Sequence, residues 1–247
     1  MKFTLGYSIW NKIDMLSWLL EGIINNFSPT NTEIVFHFDA CTDASDVAFD
    51  SLTPYWLMQR GGFKPEQIHK LVSPTEVREV GGHNALMRWF MEHQPSAFLI
   101  VAQDDQHFTK NPCPFLEDLA QRYGSQMGLI GGRDGYGIGY SNFTGSTWSE
   151  STVQRRLRHG EFAELPYLNS GPVVYNPKLI EQVGLLDDNF KAYYVWDDYG
   201  HRALQKGFVN GVMGMDLIHA KFGRVKATEW CDWSGHDVSL RQHKHGW

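Results

Sequence analysis

The chain has 247 residues, 42% of them hydrophobic and 14% aromatic, and a formal net charge of −6. That length suits one α/β domain without a second core, and the acidic balance argues against a dominant footprint on nucleic acid or on an anionic membrane surface. No apolar run reaches the roughly 18 residues that a membrane span needs, and no cleavable leader precedes the first predicted strand. The three cysteines, Cys41, Cys113 and Cys231, are too scattered for a disulfide framework or a metal knuckle; they read as reduced thiols, and the expected location is cytoplasmic.

In chain order, Phe3 to Lys12 reads as a strand that breaks into a turn. A helix through Phe27 follows, with Ile13, Leu16, Leu19, Leu20, Ile23, Ile24 and Phe27 on one apolar stripe. Glu33 to Asp39 is a second strand that ends on an acid, followed by the loop Ala40 to Ser45. The run Ala97 to Ala102 is a short, buried, partly β-branched strand, and Gln103-Asp104-Asp105-Gln106-His107 follows at once. Open α/β sheets bind ligands at the carboxyl ends of their strands. Two adjacent carboxylates repel one another, so a cation or a hydroxyl-rich ligand is the simplest reason to place them there; a helix cap with a solvated neighbour is the plainer alternative.

Glycines cluster at 131–139, in a polar stretch that continues through Ser151. They are not set in a strand-to-helix turn near the N-terminus, so a loop beside the site is expected there and not a dinucleotide fingerprint. Late in the chain, Tyr193 to Asp198 precedes a helical run from Tyr199 to Lys206 that stops at Gly207. An apolar strand from Gly214 to Ile218 leads to His219. The segment 224–247, rich in Trp, His, Lys and Arg, reads either as a lid over a ligand or as an exposed tail.

With these elements in place, the sequence resembles the family 2 glycosyltransferases. Ser8-Ile9-Trp10-Asn11 is similar to their opening signature, Asp39-Ala40-Cys41-Thr42-Asp43 to their acidic loop, and Gly82-His83-Asn84-Ala85 to the segment before the DxD strand. Gln103-Asp104-Asp105 is similar to the DxD itself, and Asp197-Asp198 with Arg202 and Gly207 to the late acidic motif. The order is the family's from about Lys2 to about Gly223. Three departures stand out: Ser8 and Ile9 replace proline and threonine, Gln103 replaces the first DxD acid, and Trp196 occupies the place of the general base, six residues before Arg202. The resemblance implies the GT-A fold, a single α/β domain over 1–223 with a Rossmann-like, mostly parallel sheet flanked by helices. Its nucleotide-binding half would span about 1–107 and its acceptor half about 108–223.

The resemblance also implies a reaction, transfer of a hexosyl or pentosyl group from a nucleoside diphosphate sugar to an acceptor hydroxyl, with Mn2+ or Mg2+ on the diphosphate. Asp105 and His219 match the metal ligands, with an Asp105–His107 pair as the alternative, and Asp104 is expected to face the ribose hydroxyls or a water of the metal's outer shell. Trp10 offers a flat face to the base and Asp39 an acceptor for a ring N–H, which favours a uracil or thymine nucleotide, or a guanine edge, over adenine, with a UDP-type donor preferred. Ser8, His83 and Asn84 complete the expected donor contacts, and Asn169, Ser170 and Trp196 the acceptor side. Asp197 or Asp198 is the general base, and a lone base implies inversion. The nine Trp suit a sugar site, although aromatic residues more often serve the core. The rival classes are a sugar nucleotidyltransferase, which needs a basic Gly-rich loop after the first strand, and a non-catalytic sugar-binding module; within glycosyl transfer, retention is the rival outcome. The acceptor, whether glycan, lipid-linked glycan, protein or modified nucleobase, is not specified by the sequence.

Overall fold

The computed structural model describes residues 1–93, 98–133, 157–166, 171–191, 194–220 and 227–245. Strands β1 (Phe3–Ile9), β2 (Thr32–Asp39) and β3 (Ile68–Ser73) pair in parallel, and β4 (Phe98–Gln103) pairs in parallel with the other edge of β1. β6 (Met127–Arg133), β8 (Val173–Tyr175), β9 (Val209–Gly214) and β7 (Phe162–Glu164) extend the sheet in the order β3-β2-β1-β4-β8-β6-β9-β7. In this sheet, among the described residues, only β8 and β7 run antiparallel to their neighbours. A second, two-stranded sheet joins β5 (Gln106–Phe108) to β10 (Leu217–His219). The sheet is therefore mixed but mostly parallel, as expected.

β1 is buried on both faces, as its run of apolar residues dictates for a central strand covered by helices on both sides. Helix α1 (Leu16–Asn26) turns Leu16, Leu19, Leu20 and Ile23 inward, the 3–4 spacing of an amphipathic helix. With α2 (Ser45–Thr53) and α4 (Cys113–Tyr123) it covers one face, over Leu5, Tyr7, Phe36, Phe49 and Leu116. Helices α3 (Arg78–His93), α5 (Pro177–Val183) and α6 (Val195–Gln205) cover the other, over Val35, Leu86, Leu99, Val101, Leu179 and Tyr199. The predicted strand 214–218 is instead divided: β9 ends at Gly214 and β10 begins at Leu217. Gly131, Gly132 and Arg133 lie within β6, and the rest of the predicted glycine-rich loop falls outside the described residues. Helix α7 (Ala227–His245) forms most of the segment expected to be a lid or a tail.

α3 crosses β1 closely. A Cβ on Gly82 would stand 2.1 Å from the Ser8 hydroxyl and 3.0 Å from its Cβ. Gly82→Ala is therefore expected to cost about 1–3 kcal/mol through overpacking, read as a lower midpoint in urea at unchanged slope. Ser8→Gly in the same chain should recover part of that loss, and an unaltered Gly82→Ala midpoint would count against the close approach.

Candidate active site

The chain leaves β1, builds β2 and β3 on one side, and returns to β4 on the other, so the β1–β4 junction is the switch point where such sheets bind ligands. Asp104 closes that junction. Its Oδ2 accepts from the Trp10 amide at 3.1 Å, and its Oδ1 lies 3.8 Å from Nζ of Lys12, a lysine only 5% exposed. Lys12 was not among the residues singled out from sequence, yet it places a cation directly under the acidic turn. The turn after β1 is held by Asn11, in the left-handed region at φ 52°. Its side-chain oxygen accepts from the amides of Thr42 at 2.7 Å and Asp43 at 3.2 Å, so the loops after β1 and β2 form one unit.

Asp105 follows Asp104 in the turn between β4 and β5, and its side chain is partly exposed. Its carbonyl accepts from the Ala220 amide at 2.8 Å, and the β5–β10 ladder sets His219 opposite Gln106. The backbone thus brings the two expected metal ligands to one turn. Their types suit Mn2+, which takes carboxylate and imidazole together, and a two-residue set leaves positions for phosphate oxygens. Among the described residues no group of three or more His, Cys, Asp or Glu gathers as a closed metal cage. His107, the alternative partner of Asp105, faces away: its Nδ1 lies 2.7 Å from the Trp18 carbonyl and its ring packs on Trp18.

Gln103, where a DxD acid would stand, belongs to a polar chain. It donates to Glu79 of α3 at 2.6 Å, and its carbonyl oxygen accepts from Gln106 at 2.9 Å. Gly171 sits against this pair; a Cβ there would meet Gln106 Nε2 at 2.7 Å. The expected acceptor residues Asn169 and Ser170, immediately before it, lie outside the described residues.

Several expected donor contacts point into the protein. His83 is 1% exposed, with its Nδ1 3.3 Å from the Tyr175 hydroxyl and its ring edge-on to Trp196. Burial, with a smaller contribution from His37, pushes its pKa down to about 3, which favours the neutral ring. Asn84, 2% exposed, donates to the Leu186 carbonyl at 3.0 Å and accepts from the Leu186 amide at 2.9 Å. Its side chain clamps a loop and does not reach for a diphosphate. Trp196 is 3% exposed and packs in the core beneath α3. Ser8 lies under Gly82, its hydroxyl 3.3 Å from Nδ1 of buried His37. Asp39 is buried, and its two oxygens accept from the amides of Val77 and Arg78 at 2.7 Å each, which fixes the entry to α3. Each oxygen has one further lone pair with which to accept. Trp10 is half-buried beside Asp104.

Asp197 and Asp198 both lie in the first turn of α6, where the helix dipole favours negative charge. Their surroundings separate them. Asp198, 0% exposed, accepts from Arg202 Nε at 2.8 Å and from Lys244, and lies 2.9 Å from His245 Nε2. Burial alone would raise its pKa, but these partners outweigh it and hold the carboxyl below the usual range. Asp197, 1% exposed, has no hydrogen-bond donor on either oxygen among the described residues; Arg241 Nη1 is 3.9 Å from Oδ2. Burial pushes its carboxyl up to about 7, with Arg241 pulling the other way. Arg241, Lys244 and His245 all come from α7, which over 236–245 packs on Asp187–Lys191 and Tyr194–Asp198.

No family model matches the sequence, and no curated protein matches it with significance. Solved structures do match it by shape. GalNAc-T7 with UDP, GalNAc and Mn2+ superposes with a TM-score of 0.69 at 10% identity, over 98% of this chain and 48% of its own. A mannosyltransferase from Pyrobaculum calidifontis in complex with GDP-Man and Mn2+ gives 0.63 at 12% identity, over 98% of this chain and 64% of its own. S. aureus TarS gives 0.62 at 13% identity, over 98% and 44%. The chain thus spans less than half of GalNAc-T7 and of TarS, and likeness at this identity speaks to architecture alone. The sheet order, its parallel core with the antiparallel β8 insertion, and these superpositions establish that the chain has the GT-A glycosyltransferase fold.

Proposed function

We propose that the chain is a divalent-cation-dependent glycosyltransferase that moves a sugar from a nucleoside diphosphate donor, of UDP type, to an acceptor hydroxyl with inversion. One observation carries this reading: the chain holds two acidic sites of opposite character, and helix α3 touches a chain neighbour of each. Glu79 in its first turn accepts from Gln103, the residue before Asp104, and His83, four residues on, packs edge-on to Trp196, the residue before Asp197. One site is partly exposed and suits a cation; the other is buried and suits proton transfer.

Asp105 and His219 would hold the cation, which, when bound, offsets the charge that grows on the diphosphate as the glycosidic bond breaks. Lys12 and the Trp10 amide fix Asp104 at the junction, and the Trp10 ring would stack on the nucleobase. Asp197 takes the proton from the acceptor hydroxyl as that oxygen bonds to the anomeric carbon, and the nucleoside diphosphate departs from the opposite side. The solved structures of similar fold contain UDP, UDP-GlcNAc and GDP-Man, which supports a sugar-nucleotide donor.

The test is a panel of sugar nucleotides with Mn2+, read first as a raised melting temperature, because a ligand that binds only the folded state stabilises it by mass action, and then as transfer to acceptor mixtures. Stabilisation by UDP over GDP and ADP is the expected result. No stabilisation by any sugar nucleotide would refute the reading. Asp105→Ala should weaken nucleotide affinity in Mn2+ about tenfold, to the level seen with chelator, which corresponds to about 1.4 kcal/mol. Equal affinity with and without chelator in the native protein would remove Asp105 from this role.

A further inference from the structure

We propose that Arg241 is a positioning residue for this reaction: carried by α7, it holds the Asp197 carboxylate as an anion at the start of α6 without donating a hydrogen bond to it. The inference rests on Asp197 being the base. A buried carboxylate with no opposite charge keeps its proton and cannot take another. A carboxylate wrapped in donors, as Asp198 is, ionises readily but is too weak a base to accept one. Arg241 Nη1 lies 3.9 Å from Asp197 Oδ2, close enough for its charge to act and too far for a hydrogen bond. That separation suits a base that must be ionised yet remain basic.

The separation is built into the fold. The guanidinium carbon stands 4.1 Å above the Tyr194 ring, a stack that a planar cation makes well. Four residues before Arg241, Asp237 accepts from the Lys191 amide with both oxygens, at 2.9 and 3.1 Å. Three and four residues after it, Lys244 and His245 reach Asp198, and Lys244 also meets Asp187 at 2.8 Å. These positions lie on one face of α7, so anchors on either side of Arg241 fix its height over Asp197. Among the described residues, the other ionisable groups on the two helices here include Asp198, His201 and Arg202 on α6 and Lys244 and His245 on α7; Arg202, Lys244 and His245 pair with Asp198, and His201 packs on His245. Arg241 is therefore the charge that bears on Asp197 itself, and it opposes the upward push of burial.

The experiment is a carbon-13 carboxyl titration of Asp197 beside a pH–rate profile for transfer, in the native chain, Arg241→Gln and Arg241→Lys. In Arg241→Gln the Asp197 midpoint and the acid limb of kcat should rise together by about one pH unit, the usual effect of losing one nearby opposite charge, with donor KM unchanged. Arg241→Lys should keep both near the native values. If Arg241→Gln does not fold, Tyr194→Leu, which removes the stacking surface, should move both in the same direction by less. An unmoved Asp197 midpoint overturns the proposal, as does a loss of kcat that is uniform across pH and no smaller for lysine than for glutamine. If the midpoint moves while the kcat profile does not, the Arg241–Asp197 pairing stands and it is the assignment of Asp197 as base, with Arg241's part in transfer, that fails.

Discussion

Asp197→Asn is expected to lower the rate of transfer by about 10²–10⁴-fold, the usual contribution of a positioned general base, with donor affinity almost unchanged because the lost contact exists only during reaction. The same substitution should alter stability in a pH-dependent way, and the sign follows from the burial of Asp197. Its carboxyl is raised from 3.8 to about 7 in the folded chain. Below pH 3.8 both folded and unfolded chains are protonated there. Between 3.8 and about 7 the unfolded chain has released a proton that the folded chain retains, so stability falls as pH rises. Above about 7 the loss is complete, and three pH units correspond to about 4 kcal/mol at most. Asparagine cannot titrate, so this slope should vanish in Asp197→Asn, while the native transfer rate should climb with pH and level off above about 7. Urea unfolding at pH 4 and pH 8 reads the first effect and initial rates read the second. A native slope that survives in the asparagine chain would mean that Asp197 is ionised throughout and is not the poised group.

The architecture was legible because its strands are unusually plain. Phe3–Ile9, Thr32–Asp39 and Phe98–Gln103 are buried on both faces, so their apolar runs stand out without any alternation to decode. The acids at their ends were legible for a topological reason, since parallel strands deliver their carboxyl ends to one edge. His83 and Asn84 misled because polar side chains were read as ligands. Their spacing carried the opposite signal: Val80, His83, Asn84 and Met87 follow the helical repeat and all point inward. Trp196 misled in the same way, as an aromatic residue that belongs to the core. Lys12 had no local signature, since a lysine in a turn is usually solvated, and only the return of β4 beside β1 places Asp104 over it. The pairing of Arg241 with Asp197 was illegible for a similar reason. It depends on how α7 folds back on α6, and nothing in the polar stretch 236–245 announces which acids it will meet.

Asp198→Asn is expected to act on stability where Asp197→Asn acts on rate. Asp198 is fully buried and gathers Arg202, Lys244 and His245, two of which come from α7. Removing its charge leaves these groups facing a neutral amide. Breaking a buried ion pair from one side costs about 3–5 kcal/mol; because Arg202 and Lys244 keep about a quarter of their side-chain surface in water, a smaller loss, about 2–3 kcal/mol, is the better expectation. At about 2–4 °C per kcal/mol for a chain of this size, the melting temperature should fall by about 4–12 °C. The pH sign is opposite to that of Asp197. The folded-state carboxyl lies below its ordinary value, so its contribution is present above the ordinary carboxylate range and is lost as pH falls through the lowered one; native and variant chains should converge in acid. Transfer by the folded variant, measured well below its melting temperature, should stay within about tenfold of native, since Asp197 and Arg241 remain in place. A variant that melts normally but does not turn over would exchange the two roles: Asp198 would be the base, and its ring of cations the device that keeps it ionised.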